Sequence, residues 1–369
     1  MKRILQIFPT LTRGGLETFI MNIYRTIDRT EYQFDFLVNK GDGPYRDEIL
    51  AKDGRIYIVP QAVNGFLTYC KALDSFFREH KGEFRAVHLH ASSLSNLMSL
   101  YYAKKYEIPV RIIHSHNSTL PKKGVRGKFH LAIHYFFKLF VKSVATNWLG
   151  CSDVALDWMY KGTGVRDKAV FIKNCILTEN FTFNLEIRRK VSEEFGIKSE
   201  FVIGHIGRMV AQKNHLFLLE IFAEVLKLRP DAKLMLIGDG CDRDKIRKKG
   251  VALGINNNII YTGIREDVNR LMQAFDIIVM PSLYEGLPVC LVEAQASGLP
   301  LLLSNTISLQ SKLLDCVEYK PLSAPPREWA QSAIRLDENT KREDTSAIIC
   351  EKGFDSTETT RQLIQIYNS

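Results

Sequence analysis

The chain has 369 residues, of which 46% are hydrophobic, 25% charged and 10% aromatic. These proportions belong to a folded globular protein and exclude a disordered, collagen-like or disulfide-scaffold chain. The net charge of +9 is unevenly placed: residues 1–185 hold 26 Lys and Arg against 16 Asp and Glu, and residues 186–369 hold 24 against 25. The basic half is suited to an anionic partner (nucleic acid, a membrane surface or a phosphorylated substrate), with a merely solvated basic surface as the alternative. The length exceeds the ~250–300 residues that one core usually supports, so two domains are expected.

MKRILQIFPT opens the chain with two basic residues, but its apolar run stops at Pro9. That is too short for a signal peptide, and the segment reads as a first strand of a cytoplasmic protein. No apolar run approaches the ~18–20 residues that span a bilayer. Short runs rich in Ile, Val and Leu follow at Phe34–Val38, Ile56–Val59, Ala86–Leu89 and Val110–Ile113. After a pause around residues 176–195 the series resumes at Phe201–Ile206, Lys233–Ile237, Ile259–Thr262, Ile277–Met280 and Leu301–Leu303. Runs of this kind read as strands of parallel sheets buried on both faces. Amphipathic stretches such as Leu16–Ile27, His215–Leu228 and Val289–Ala296 alternate with them, which predicts an α/β protein. Thr357–Tyr367 reads as a terminal helix. The seven cysteines are scattered and never form a CxxC pair, so neither a zinc site nor a disulfide framework is expected.

Four constellations carry chemistry. Gly14, Gly15 and Glu17 stand in RGGLETF, at a strand-to-helix turn where glycines let a ligand approach backbone amides and a helix N-terminus. A tight turn without a ligand is the alternative. His114 and His116 end the fifth run in RIIHSHNSTL, where a polar substrate contact is favoured over a metal, since no third ligand is evident, and a hydrogen-bonded structural pair is the alternative. GHIGRMVAQKNH places Gly207 at a strand end with Arg208 and Lys213 after it, a turn with two cations that fits a diphosphate. PSLYEGLPVCLVEAQASGLP holds Glu285 and Glu293 at the mouth of a helix, where two carboxylates can accept from the hydroxyls of a sugar and a ribose. Paired-carboxylate glycoside hydrolysis is the competing reading, and it leaves Arg208 and Lys213 unexplained. The DxD of Asp242 and Asp244 reads as acids at a helix start rather than as a metal site.

GGxE, HSHN, GRMVAQKN, IGDG at 237–240, YTG at 261–263 and the Glu285/Glu293 segment follow in order along nearly the whole chain. Together they resemble family 4 of the retaining glycosyltransferases, and within it the branch that builds bacterial capsular and exopolysaccharides. The resemblance implies the α/β GT-B fold, two Rossmann-like βαβ domains with parallel sheets facing across a cleft. An acceptor-binding domain over 1–185, a nucleotide-sugar domain over 186–355 and a helix over 356–369 that returns to the first domain are then expected. Arg208 and Lys213 would hold the diphosphate, with Gly14, Gly15, Gly207 and Gly238 close by. Glu293 would bind the ribose and Ile264 would lie near the base. Glu285 would face the transferred sugar beside the amides of Gly286 and Leu287, and His116 would touch that sugar near the reacting carbon. Glu17, His114 and Asn117 are candidates for the acceptor side. The catalytic set would be His116, Arg208, Lys213 and Glu285, with no metal or other cofactor. Where many relatives carry Asn-Gly-Ile-Asp, this chain has Asn174-Cys175-Ile176-Leu177, so its local turn differs.

The implied partners are a nucleotide-sugar donor, with UDP favoured over GDP by family habit, and a glycan or polyprenyl-diphosphate-linked acceptor. Nucleic acid is not among them, since no binding module is present. Lys122, Lys123, Arg126 and Lys128 precede FHLAIHYFFKLFVKSV, a basic aromatic stretch suited to the inner face of an anionic membrane. The alternative is that Phe129, Ile133, Phe136 and Phe140 pack into the core. A nucleotide-sugar epimerase and a non-catalytic nucleotide-sugar binder are the other readings.

Overall fold

A computed structural model describes residues 1–12, 14–116 and 125–369, without the side chains of residues 125 and 126. Asn117, Lys122, Lys123 and the Arg126 side chain lie outside the described set. Two compact units divide the chain: Met1–Cys175 with Ser356–Ser369, and Ile176–Asp355. Position 185, where the sequence reading set its boundary, opens the helix Leu185–Phe195 inside the second unit.

The first unit is built on a seven-stranded sheet in the order β3-β2-β1-β4-β5-β6-β7. These strands are β1 Lys2–Ile7, β2 Tyr32–Val38, β3 Ile56–Ile58, β4 Phe84–Ala91, β5 Val110–Ser115, β6 Asn147–Gly150 and β7 Val170–Phe171. The second unit holds six strands in the order β10-β9-β8-β11-β12-β13. They are β8 Val202–Ile206, β9 Lys233–Ile237, β10 Ile259–Gly263, β11 Ile277–Met280, β12 Leu301–Ser304 and β13 Val317–Lys320. The paired strands are parallel throughout.

Adjacent residues of a strand enter opposite cores. Ile4, Ala86 and Ile112 fill one face of the first sheet, while Leu5, Val87 and Ile113 fill the other. Ile203, Leu234 and Ile277 are likewise opposed by Val202, Met235 and Ile278. Both faces are therefore dry, which explains the continuous apolar runs.

The helix Ser356–Asn368 belongs to the first unit. Its Leu363 and Tyr367 are buried with Phe34 and Ile112. Arg85 caps its C-terminus, donating to the carbonyls of Tyr367 at 3.1 Å, Asn368 at 2.9 Å and Ser369 at 2.9 Å. A cation is favoured there because the last carbonyls of a helix lack intrahelical partners.

Candidate functional site

In an open parallel sheet, ligands bind beyond the carboxyl ends of the strands, where the strand order reverses. In the second unit that point lies between β8 and β11. The loops that follow these two strands carry Gly207, Arg208, Lys213, Glu285, Gly286 and Leu287. They are stitched together: Leu283 N donates to Gln212 O at 2.8 Å, Gln212 Nε2 to Tyr284 O at 3.0 Å and Asn214 Nδ2 to Pro281 O at 3.0 Å. Asn214 closes the first loop in a left-handed conformation at φ 54°, which asparagine tolerates better than most residues. The helix His215–Leu228 then begins.

Lys213 Nζ lies 2.8 Å from Glu285 Oε1, and both side chains are mostly buried at 14% and 11% exposure. Their contact is an ion pair by distance without the alignment of a hydrogen bond, for Glu285 Oε1 has no hydrogen-bond partner among the described residues. The Glu285 backbone is held by Ser308 N, which donates to Glu285 O at 3.2 Å. Arg208 is exposed, and its guanidinium has no hydrogen-bond or ion-pair partner among the described residues. Gly286 is open, with nothing within 4 Å of where a Cβ would stand. Leu287 packs against the second-sheet core.

Close approach of the backbones explains two glycines. A Cβ on Gly238 would sit 2.1 Å from Gly207 O, at a φ of 133° that disfavours other residues. A Cβ on Gly207 would sit 2.7 Å from Lys213 Cε, so the lysine stem runs over this glycine. Ile264 follows β10 and is 72% exposed.

Glu293 lies in the helix Val289–Ala296. Part of the residue reaches solvent, yet burial of its carboxyl pushes the pKa up to about 7. Among the described residues nothing donates to that carboxyl. The sequence reading missed Cys290, whose thiol is pushed up to about 12 by burial, with Lys213 opposing and Glu293 and Glu285 adding to the shift. That balance places Cys290 electrostatically among the lysine and both glutamates. Asp242 is the N-cap of the helix Arg243–Ala252 and Asp244 lies in its first turn.

In the first unit the strand order reverses between β1 and β4. Gly14 is the N-cap of the helix Gly15–Thr26. Glu17 is only 8% exposed and accepts from Thr12 Oγ1 at 3.0 Å, so it braces the turn rather than facing solvent. Period-2 alternation puts His88 and His90 of β4 on one face, and the register sets Gln6 beside His88 and His90 beside His114. His114 is fully buried, with its Nδ1 3.2 Å from His88 Nε2, so it does not stand at a surface where an acceptor would touch it. His116 Nε2 is 2.9 Å from His90 Nδ1. Part of His116 reaches solvent, while burial of its ring pushes the pKa down to about 3. Burial, joined by the neighbouring histidines, also drives His88, His90 and His114 well below the usual range. The i, i+2 spacing of His114 and His116 recurs at His88 and His90, and that repeat is visible in the sequence.

His88, His90 and His114 stand close enough for one ion, with ligand atoms within 4.8 Å. Except for His114 Nε2, however, every ring nitrogen of the three already has a side-chain partner. Hydrogen bonds thus hold five of the six ring nitrogens, and His114 Nε2 is buried without a partner among the described residues.

The helix Val125–Lys138 does not bury the aromatic residues assigned to the core in the alternative reading. Phe129 is 67% exposed, Phe136 57% and the nearby Phe140 44%. Phe137 does pack against the first-sheet core. Among the described residues no helix is long and apolar enough to cross a membrane.

The family described as glycosyl transferases, group 1, matches residues 200–339. A putative glycosyltransferase, EpsF of Bacillus subtilis, is 33% identical over all of this chain and 96% of its own length. An Escherichia coli UDP-Gal:alpha-D-GlcNAc-diphosphoundecaprenol alpha-1,3-galactosyltransferase is 24% identical over 81% of this chain and 78% of its own. The solved structure of Anabaena Alr3699/HepE in complex with UDP and glucose matches with a TM-score of 0.82 at 17% identity, covering 100% of both chains. The two Rossmann-like parallel-sheet units are thus the GT-B class of fold.

Proposed function

This chain belongs to the group 1 glycosyltransferases, and from that premise we propose that it moves a sugar from a nucleoside diphosphate, UDP in the first instance, to a hydroxyl of a glycan or lipid-linked acceptor in cell-surface polysaccharide synthesis. The observation that carries the reading is the Lys213–Glu285 ion pair at the reversal of the second sheet, with Arg208 exposed in the same loop as Lys213 and without a partner among the described residues. A UDP-sugar and a diphospholipid acceptor are what the name of the E. coli relative states for that protein, and UDP with glucose is what the HepE structure holds.

The costly step separates an oxocarbenium-like sugar from an anionic diphosphate. Arg208 contributes a planar fork of donors and Lys213 a compact charge. Fixed positive groups stabilise the leaving diphosphate without reorganising during the reaction, each worth ~3–4 kcal/mol. Lys213 held against Glu285 is positioned before the donor arrives. The other Glu285 oxygen serves a sugar hydroxyl, Glu293 accepts from the ribose, and the amides of Gly286 and Leu287 face the sugar. His116 touches the transferred sugar. The anomeric configuration is retained, with no side chain as covalent nucleophile and no metal in the mechanism.

The test presents UDP-, GDP- and ADP-sugars with and without a polyprenyl-diphosphate-linked glycan. Release of UDP that rises with the acceptor supports transfer. Donor isomerisation without acceptor would identify an epimerase, and binding without turnover a nucleotide-sugar receptor.

Attachment to an anionic membrane is a second part of the proposal. Phe129, Tyr135, Phe136, Leu139 and Phe140 are exposed, and Lys128 and Lys142 stand exposed on the same stretch. Aromatic side chains and lysines presented together suit a headgroup interface. The chain is expected to float with phosphatidylglycerol vesicles at low salt and not with neutral ones. Phe129→Ser combined with Phe136→Ser should abolish flotation.

A further inference from the structure

Six side chains of the first unit form one hydrogen-bonded chain. Gln6 Nε2 donates to Tyr367 OH at 3.3 Å. Gln6 Oε1 lies 2.8 Å from His90 Nε2, and His90 Nδ1 lies 2.9 Å from His116 Nε2. On the other branch Tyr367 OH is 3.0 Å from His88 Nδ1, and His88 Nε2 is 3.2 Å from His114 Nδ1.

Donor and acceptor rules order this chain. An amide oxygen accepts only, so His90 Nε2 must carry the hydrogen. A neutral imidazole has one N–H, and burial keeps His90 neutral. His90 Nδ1 is then a bare acceptor, and His116 Nε2 must donate to it. The remaining nitrogen of His116, Nδ1, is left with a lone pair and has no partner among the described residues. On the second branch Tyr367, which accepts from Gln6, spends its own proton on His88. The hydrogens therefore run one way along both branches from a single amide orientation at Gln6.

We infer that Gln6 and His90 are positioning residues that lock His116 in its Nε2–H tautomer, so that His116 offers Nδ1 as an acceptor to a hydroxyl of the transferred sugar. This rests on the reading of His116 as a sugar contact. Its role is to set which side of the ring donates, since a ring with the hydrogen on Nδ1 would point a donor at a hydroxyl group that must then turn.

The test is a long-range proton–nitrogen correlation on protein labelled at its nine histidines, recorded without substrate. His116 is expected protonated at Nε2 and bare at Nδ1. Gln6→Met leaves the His90 N–H buried without an acceptor, an arrangement the pair avoids by reversing both tautomers. His116 should then carry its hydrogen on Nδ1, and kcat/KM for the donor should fall about tenfold in protein that stays folded at the assay temperature. Gln6→Glu keeps an acceptor facing His90 and should restore both. A wild-type His116 protonated at Nδ1 would overturn the lock, whether or not Gln6→Met folds, and so would a Gln6→Met protein with the wild-type tautomer. Full turnover in His116→Ala would instead remove the sugar contact and leave the tautomer assignment standing.

Discussion

The carboxyl ends of the two sheets handle polar side chains in opposite ways. In the first, Gln6, His88, His90, His114, His116 and Tyr367 bond to one another, and burial keeps the histidines neutral. In the second, charge is left in reserve: among the described residues Arg208 is exposed without a partner, Lys213 and Glu285 pair imperfectly, and nothing donates to the desolvated carboxyl of Glu293. A polar group bonded to its neighbours maintains shape. One left wanting is available to a ligand, because binding then supplies the partner that folding withheld.

Substitutions can break this contrast. The largest effect is expected at Arg208→Ala and Lys213→Ala, which should each lower kcat by a factor of roughly 10²–10³. Arg208→Ala should do so with a nearly unchanged melting temperature, because the side chain has nothing to lose in the free protein. Full activity in either variant would end the diphosphate assignment.

Glu293 sharpens the contrast through pH. Its folded pKa of about 7 lies above the usual value of 4.5, so the stability associated with the protonated form is complete below about 4.5 and is lost as pH rises through 7. Glu293→Gln should therefore gain on the wild type in urea unfolding between pH 4.5 and 8, by up to about 3 kcal/mol. UDP affinity should change in the other direction. Ribose hydroxyls favour the carboxylate, so the wild type should bind more weakly as pH falls below 7, and titration calorimetry should show the Gln variant without that slope.

Tyr367→Phe addresses the first sheet and should have the smallest effect. It removes a hydroxyl that bridges Gln6 and His88, and should cost about 1–2 kcal/mol in stability. A larger loss at Arg208 than at Tyr367 in the same unfolding measurement would erase the distinction between the two regions.

Much of this molecule is legible in local pattern. The helices His215–Leu228 and Val289–Ala296 lie where their apolar spacing and Pro288 put them, because amphipathic periodicity and helix-start signals act over a few residues. The strands that pattern missed are β6, β7 and β13, which have four, two and four residues. β6 (NWLG) and β13 (VEYK) lack the continuous Ile, Val and Leu run that marks the equally short β11 and β12, and β7 has only two residues, so their strand character comes from pairing with a neighbour already in place. The Gly-rich turns and their cations were legible too, since a glycine at a strand end is a local feature.

The partners of those residues were not. Glu17 and His114 are candidates for the acceptor side by sequence; in the structure Glu17 accepts from Thr12 and His114 is fully buried in β5 beside His88. Position along the chain tells how far a residue lies from a strand end, but not what covers it. Residues 111–116 and residue 367 meet because β4 lies beside both β1 and β5 and because Arg85 holds the last helix in place. Order, period and turn chemistry are written in neighbouring residues. The tautomer proposed for His116 and the burial of its partners His90 and Gln6 depend on long-range pairing, which no local window contains.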